Sequence, residues 1–151
     1  MKKYVFYFFL LFSIPVLLFS ELPPDAYNRM VEASNEVLII HVDEVQTDNA
    51  TEDITGVSVF ATVLFVYRSS SGLELGSTIR IQYQGRRVFP DHPGPARLGI
   101  LEENSIRPAY LNKRWDHYVP SARGRSFSDW IWPRQYGDYE EYYQEAVEFL
   151  E

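Results

Sequence analysis

The sequence predicts a mainly β protein: a small five-stranded barrel with a short N-terminal helix and a C-terminal amphipathic helix. Three observations carry this. Residues 57–68, VSVFATVLFVYR, are almost all β-branched, aromatic or aliphatic, with no Gly or Pro. That run is long for a strand, short for a buried helix, and its side-chain types favour the strand. It is apolar on both faces, so both must be covered, which suits the central strand of a curled sheet. Residues 78–83 show the cleanest alternation: Ile79, Ile81 and Tyr83 against Thr78, Arg80 and Gln82. That strand has one buried and one wet face. With 151 residues, 46% hydrophobic and 16% aromatic, the chain makes one folded domain with a real core.

The elements follow in order. Lys2 and Lys3 precede an apolar run at residues 4–19, broken by Ser20, Glu21 and Pro23-Pro24. This reads as an export signal at residues 1–20. Cleavage after Ser20 would leave a chain starting at Glu21; a retained membrane anchor is the alternative. A short helix is expected at 26–34, with Tyr27, Met30, Val31 and Ser34 on one face. A strand at 36–46 then begins apolar on both faces and becomes amphipathic. The acidic loop 47–56 contains Asn49-Ala50-Thr51, a glycosylation pattern read as chance.

Gly72 and Gly76 mark turns on either side of residues 73–75, and the proline-rich stretch 85–99 excludes regular structure. A fourth strand is expected at 106–112, with Pro108 indicating an edge or bulge, and a fifth at 117–121. Residues 21–127 thus make the barrel domain. Residues 128–151 add an aromatic loop, whose Trp130 and Trp132 are expected to form the apolar hinge at the junction with the barrel, and a helix begun by Asp138 as N-cap with Glu141 three residues on. Tyr139, Tyr142, Tyr143, Ala146, Val147 and Leu150 form its apolar stripe, expected to dock on the barrel, while five glutamates face away.

Charge is segregated. Residues 21–79 hold two Arg against ten acids, residues 80–134 ten bases against five acids, and residues 135–151 six acids and no base. The acidic tail is therefore expected to lean toward the Arg-rich part. The overall charge of −7 argues against nucleic-acid binding. The absence of cysteine excludes disulfides, thiolate metal sites, cysteine nucleophiles and lipoprotein anchoring.

Little in the chain points to catalysis. His41, His92 and His117 each sit beside an acid, but their spacing matches no metal-ligand motif, and they read as surface or edge residues. His41 and Asp43 do share one side of a strand. No nucleophile elbow, phosphate loop or dinucleotide fingerprint occurs, and Glu102 and Glu103 diverge on an extended chain. Arg80, Arg86 and Arg87, with Arg97, are candidates for an anion-binding surface; a solvated basic patch, or one under the acidic tail, is the plainer reading. Arg80, Arg86, Arg87, Trp130 and Trp132 are the candidate binding residues, with no catalytic or metal residue and no cofactor.

The order of elements resembles the TIMP-like family, the OB-fold module also found in netrins. The exported start and short helix lead into NEVLIIHVDEV, followed by VSVFATVLFVYR, a Gly-marked turn, STIRIQY, and the later AYLNK and DHYVPSARGRSF. The resemblance covers roughly residues 35–127. It implies a non-enzymatic binding or scaffold module outside the cytoplasm, periplasmic or extracellular. Animal inhibitors of the family begin with a zinc-chelating cysteine, which this chain lacks, so that route to metalloprotease inhibition is closed. The expected function is protein–protein contact with an exported or envelope protein. The membrane would be met only through an uncleaved N-terminal segment. An exported small-molecule binder or hydrolase using the barrel face is the alternative.

Overall fold

The computed structural model describes residues 22–48, 55–86, 98–129, 132, 135 and 137–150. The export segment at 1–20, the pattern at 49–51, Arg87, His92, Arg97 and Trp130 lie outside these residues. The described chain runs α1 (Pro24–Glu32), β1 (Glu36–Thr47), β2 (Thr55–Ser69), β3 (Thr78–Gly85), β4 (Ile106–Arg114), β5 (His117–Pro120), a 3₁₀ turn (Arg123–Arg125) and α2 (Tyr139–Leu150). The strands close into a barrel in the order β1-β2-β3-β5-β4. Every neighbouring pair is antiparallel except β3 and β5, which run parallel and share the single register pair Ile81 and Tyr118. This is the mainly β, OB-like small barrel that the strand pattern predicts.

The lumen is filled. Leu38, Ile40 and Val42 of β1 meet Val57, Val59, Ala61 and Val63 of β2, Ile79 and Ile81 of β3, and Ala109 and Leu111 of β4. A barrel this narrow has room only for its own side chains, and β-branched aliphatics pack well on a pleated surface.

A second buried cluster lies outside the barrel. There Val37, Ile39, Leu64 and Tyr110 are covered by Tyr27 and Val31 of α1, Ala146 of α2, and Trp132.

Bulges divide β2 between these two clusters. The sequence alternation puts Val63, Phe65 and Tyr67 on one face, but the β1–β2 register slips at Leu64 and again at Tyr67. Leu64 and Phe65 therefore pack with the outer cluster, while Val66 returns to the lumen cluster. A fifteen-residue strand shared by a tightly coiled barrel bends at such bulges, each of which adds a residue and changes the facing. A third slip, at Asp43 of β1, has the same effect nearer the hairpin.

α1 starts two residues before the expected position, because Pro23 is already extended and Pro24 suits the first helical turn. It also stops two residues earlier, at Glu32. Ser34 leaves the helix to donate its hydroxyl to the Met30 carbonyl at 2.8 Å, and it meets the Ser121 hydroxyl at 2.5 Å. Arg68 of β2 closes the helix end: its Nη2 donates to the carbonyls of Val31, Glu32 and Ser34 at 3.0, 3.0 and 2.8 Å. A cation at a helix C-terminus satisfies orphan carbonyls and complements the dipole.

Asp138 caps α2 through an Oδ1 that accepts the Glu140 N–H at 3.1 Å. Ala146 is buried, and Tyr139 and Tyr142 pack against the outer cluster. Leu150, expected to face inward, is 45% exposed, as is its neighbour Phe149 at 50%. The final turn finds no apolar surface to cover it. α2 packs mainly on β1 and β2, while its first turn borders Arg107 of β4, within the Arg-rich part toward which the acidic tail is expected to lean. Apolar burial outweighs the small attraction between exposed charges. In β4, Pro108 faces Ile39 of β1, while β5 pairs only with Leu111 to Arg114. One side of Pro108 is thus an edge, where its missing N–H costs nothing.

Candidate binding surface

Helices cover only part of the barrel exterior. The outward residues of the opposite stretch, Ser58, Phe60 and Thr62 of β2 with Arg80, Gln82 and Gln84 of β3, belong to neither buried cluster. Strand alternation puts them on one face, because Val59, Ala61, Ile79 and Ile81 point inward. Phe60 pairs with Arg80 on one side and Glu44 on the other. It is a partly buried aromatic at the centre of a polar sheet face. Hydrogen bonds order that face: Gln82 Nε2 donates to Ser58 Oγ at 3.1 Å, and Gln46 Nε2 donates to Glu44 at 2.8 Å. Near the β1–β2 hairpin it opens into a cleft of about 540 Å³, lined chiefly by Gln46, Asp48, Ser58, Gln82 and Gln84. Asp48 closes one wall by accepting the Gly56 N–H at 2.6 Å.

Gly56 leaves room for this contact. A Cβ at this position would lie 2.5 Å from the Asp48 carboxylate.

Of the sequence-derived candidates, Arg80 and Arg86 fall on or beside this face. Arg80 is ion-paired with Asp116 in the β4–β5 turn. Asp116 also meets His117 Nδ1 at 3.1 Å, and that hydrogen bond, with Arg80 alongside, holds its carboxyl below the ordinary range. Arg86 extends β3, its backbone N–H donating to the Leu98 carbonyl at 3.0 Å. Six residues of strand separate Arg80 from Arg86, roughly 20 Å, so the two do not converge on one small anion. Trp132 is only 9% exposed. It packs among Tyr67, Tyr110, Tyr139 and Tyr142 at centroid distances of 5.5–6.5 Å, which places it in the chain's own core. Arg87 and Trp130 lie outside the described residues.

The two described histidines, His41 and His117, are equally dispersed. His41 Nδ1 meets Asp43 Oδ1 at 2.6 Å, and Thr62 donates to the other Asp43 oxygen at 2.8 Å, so both oxygens of that carboxylate are engaged. His41 pairs with Ile106 at one end of β4, and His117 with Arg114 at the other. That is roughly 25 Å of strand. Among the described residues, no three His, Asp or Glu side chains gather within reach of one metal ion. Two tyrosines are strongly perturbed, Tyr83 and Tyr139. Burial pushes each hydroxyl up to about 12, reinforced at Tyr139 by the nearby Asp129 charge. The Tyr83 hydroxyl donates to Gly99 O at 3.0 Å and accepts from the Leu101 N–H at 3.3 Å. That contact pins the segment following the proline-rich stretch to the barrel.

Sequence reasoning missed two features. Glu36 is fully buried at the start of β1; one of its oxygens accepts the Ser71 N–H at 3.2 Å, and the other meets no partner among the described residues. Strand alternation puts it in phase with Leu38 and Ile40, which face the lumen. Trp115, at the β4–β5 turn, is 93% exposed and holds a φ of 50°.

No family model matches the chain, and no curated protein matches it in sequence. Among the described residues, no helix is long and apolar enough to cross a membrane.

Proposed function

We propose that the chain is an exported, non-enzymatic binding module, an OB-type barrel resembling the TIMP-like family, that acts through protein–protein contact. The observation that carries this reading is the filled lumen. With Leu38, Ile40, Val63, Ile81 and Leu111 packed inside the barrel, a ligand has to bind on the outside. The β1–β2–β3 exterior offers a sheet face that no helix among the described residues covers, with Phe60 at its centre and a rim of amides and charges. An aromatic anchor within a polar surround is the usual make-up of a protein interface. The fold alone does not assign the role; the exposed face is what supports it.

A second reading, an exported small-molecule binder or hydrolase, is favoured by the amide-lined cleft beside Gln46 and Gln82, which is large enough for a small ligand. A photo-crosslinking amino acid at Phe60 or at Gln82, with Glu145 of α2 as control, separates the two. Protein contact predicts one discrete adduct in the exported fraction from both face positions and none from Glu145. No adduct from either face position, together with a small molecule that raises the melting temperature, would overturn the protein-binding reading in favour of the second.

A further inference from the structure

The end of the barrel that carries Trp115 has a chemistry of its own. Trp115 and Asp116 form the two-residue turn between β4 and β5, since Arg114 pairs with His117 and Lys113 with Tyr118. Trp115 stands at φ 50°, a region that bulky side chains avoid and that a hairpin turn normally gives to Gly, Asn or Asp. The indole gains no packing in return, being 93% exposed. A bulky residue in a strained turn with no burial in its own fold points to a function at that position.

A second exposed apolar side chain shares this end. β3 and β5 are parallel with Tyr118 opposite Ile81, so the residues preceding both strands emerge at the same end of the barrel. Leu75, in the loop before β3, is 55% exposed. Three cations accompany the two loops: Lys113 and Arg114 next to Trp115, and Arg80 behind it. Three carboxylates lie nearby: Asp116 is held by Arg80 and His117, Glu36 of β1 is buried against the Ser71 N–H, and Glu74 is exposed in the loop before β3. The two loops with Arg80 therefore carry one positive charge in excess, on a chain whose net charge is −7.

From these observations we infer that this end of the barrel docks on an anionic lipid surface, with Trp115 and Leu75 entering the headgroup region and Lys113 and Arg114 contacting lipid phosphates. An indole is amphipathic and settles at the boundary between headgroups and acyl chains. Paired cations beside it draw the tip to an anionic leaflet. Two apolar side chains on separate, projecting loops suit a yielding, flat surface better than they suit a preformed pocket. The inference goes beyond the binding-module reading, which concerns the β1–β2–β3 face, and adds a membrane contact that the sequence confines to the N-terminal run.

The absence of cysteine gives a direct test on the full chain. An environment-sensitive fluorophore is attached at Leu75→Cys, and in a second protein at Gln46→Cys in the cleft near the opposite end. On mixing with phosphatidylcholine–phosphatidylglycerol vesicles, the label at position 75 brightens and shifts to the blue while that at 46 stays unchanged. Each cation near the surface contributes about fivefold to partitioning, so Lys113→Gln with Arg114→Gln raises the lipid concentration needed roughly 25-fold. Trp115→Ala, in an exposed turn that the fold does not need for packing, weakens the response by about tenfold or more. Equal responses at both labels, no response at position 75, or an unchanged response in the Trp115→Ala protein would overturn the inference. A response at 75 to a purified exported protein but not to vesicles would replace the lipid with a protein partner. The photo-crosslinks at Phe60 and Gln82 are read separately, so failure of one proposal leaves the other standing.

Discussion

The lumen of the barrel and the helix-covered part of its exterior are both buried, yet they are built from different residues. The lumen is almost wholly aliphatic, its large members Leu38, Ile40, Val63, Ile81 and Leu111 interleaved with Ala61 and Ala109. The exterior cluster adds large rings to an aliphatic base of Val31, Val37, Ile39 and Leu64, with Tyr27, Tyr110 and Trp132 buried and Tyr139 and Tyr142 at its margin. Five closely spaced strands leave a narrow interior that branched aliphatics fill at native density. Helices laid on a curved sheet leave a wider, uneven gap. Large rings fill that gap. The contrast shows two modes of assembly in one small domain: a regular interior fixed by strand pairing, and an irregular outer layer fixed by side-chain shape.

The contrast is most severely tested by Val63→Asp. A carboxylate in the lumen has no partner, and its burial costs several kcal/mol against a total stability of about 5–15 kcal/mol. The expected outcome is loss of folding, read as a collapsed near-ultraviolet circular dichroism signal; an unaltered melting curve would mean that Val63 is not in the lumen. Trp132→Ala should cost about 3–5 kcal/mol, the usual penalty for emptying a buried aromatic site. Amide exchange then sharpens the comparison. If α2 loses protection while β1 to β3 keep theirs, the outer layer is a separate cooperative unit. A uniform loss makes the two regions one.

A smaller effect, about 2 kcal/mol, is expected for Arg68→Ala, which leaves the α1 carbonyls without their charged donor. Reduced helical signal with intact strands would locate the loss in α1, and an unchanged denaturation midpoint would show that water replaces the guanidinium. The smallest effect is alkaline. Burial raises the Tyr83 and Tyr139 hydroxyls from 10.0 to about 12, so the folded state keeps protons that the unfolded chain gives up. Stability is then unaffected by these groups below pH 10 and falls as the pH rises through the window up to about 12. Denaturant midpoints measured at pH 9 and pH 11 check the sign.

The strands were legible because alternation and β-branched content report directly on a pleated, half-buried surface. Ile79, Ile81, Val59 and Ala61 face the lumen as their spacing implies. Phe65 and Tyr67 do not, because a bulge has no marker in a run such as TVLFVYR: every residue there is apolar enough for either face. Leu150 was misplaced because periodicity describes a helix face without saying where the surface beneath it stops. The uncovered face was half legible. The wet side of β3, with Arg80 and Gln82, stood out in its alternation. Phe60 did not, because an apolar residue in an apolar strand reads as core. Trp115 left no signal, since its exposure follows from a turn that contains no glycine. Trp132 reads both as a candidate binding residue and as an apolar hinge between helix and barrel, and the fold bears out the hinge by packing it against Tyr139 and Tyr142 of α2.

The single pair between Ile81 and Tyr118 has a consequence of another kind. A ring of five strands is no tighter than its weakest joint, and here four joints are stitched by ladders of four or more rungs while the fifth has one. The barrel is therefore a sheet rolled until its margins touch, with a slit running along its wall. Two side-chain clasps hold that slit, Arg80 with Asp116 and Ser71 with Tyr118. Thermal breathing should part these margins first, admitting water to the lumen beside Ile81 while the β1–β2 ladder stays intact.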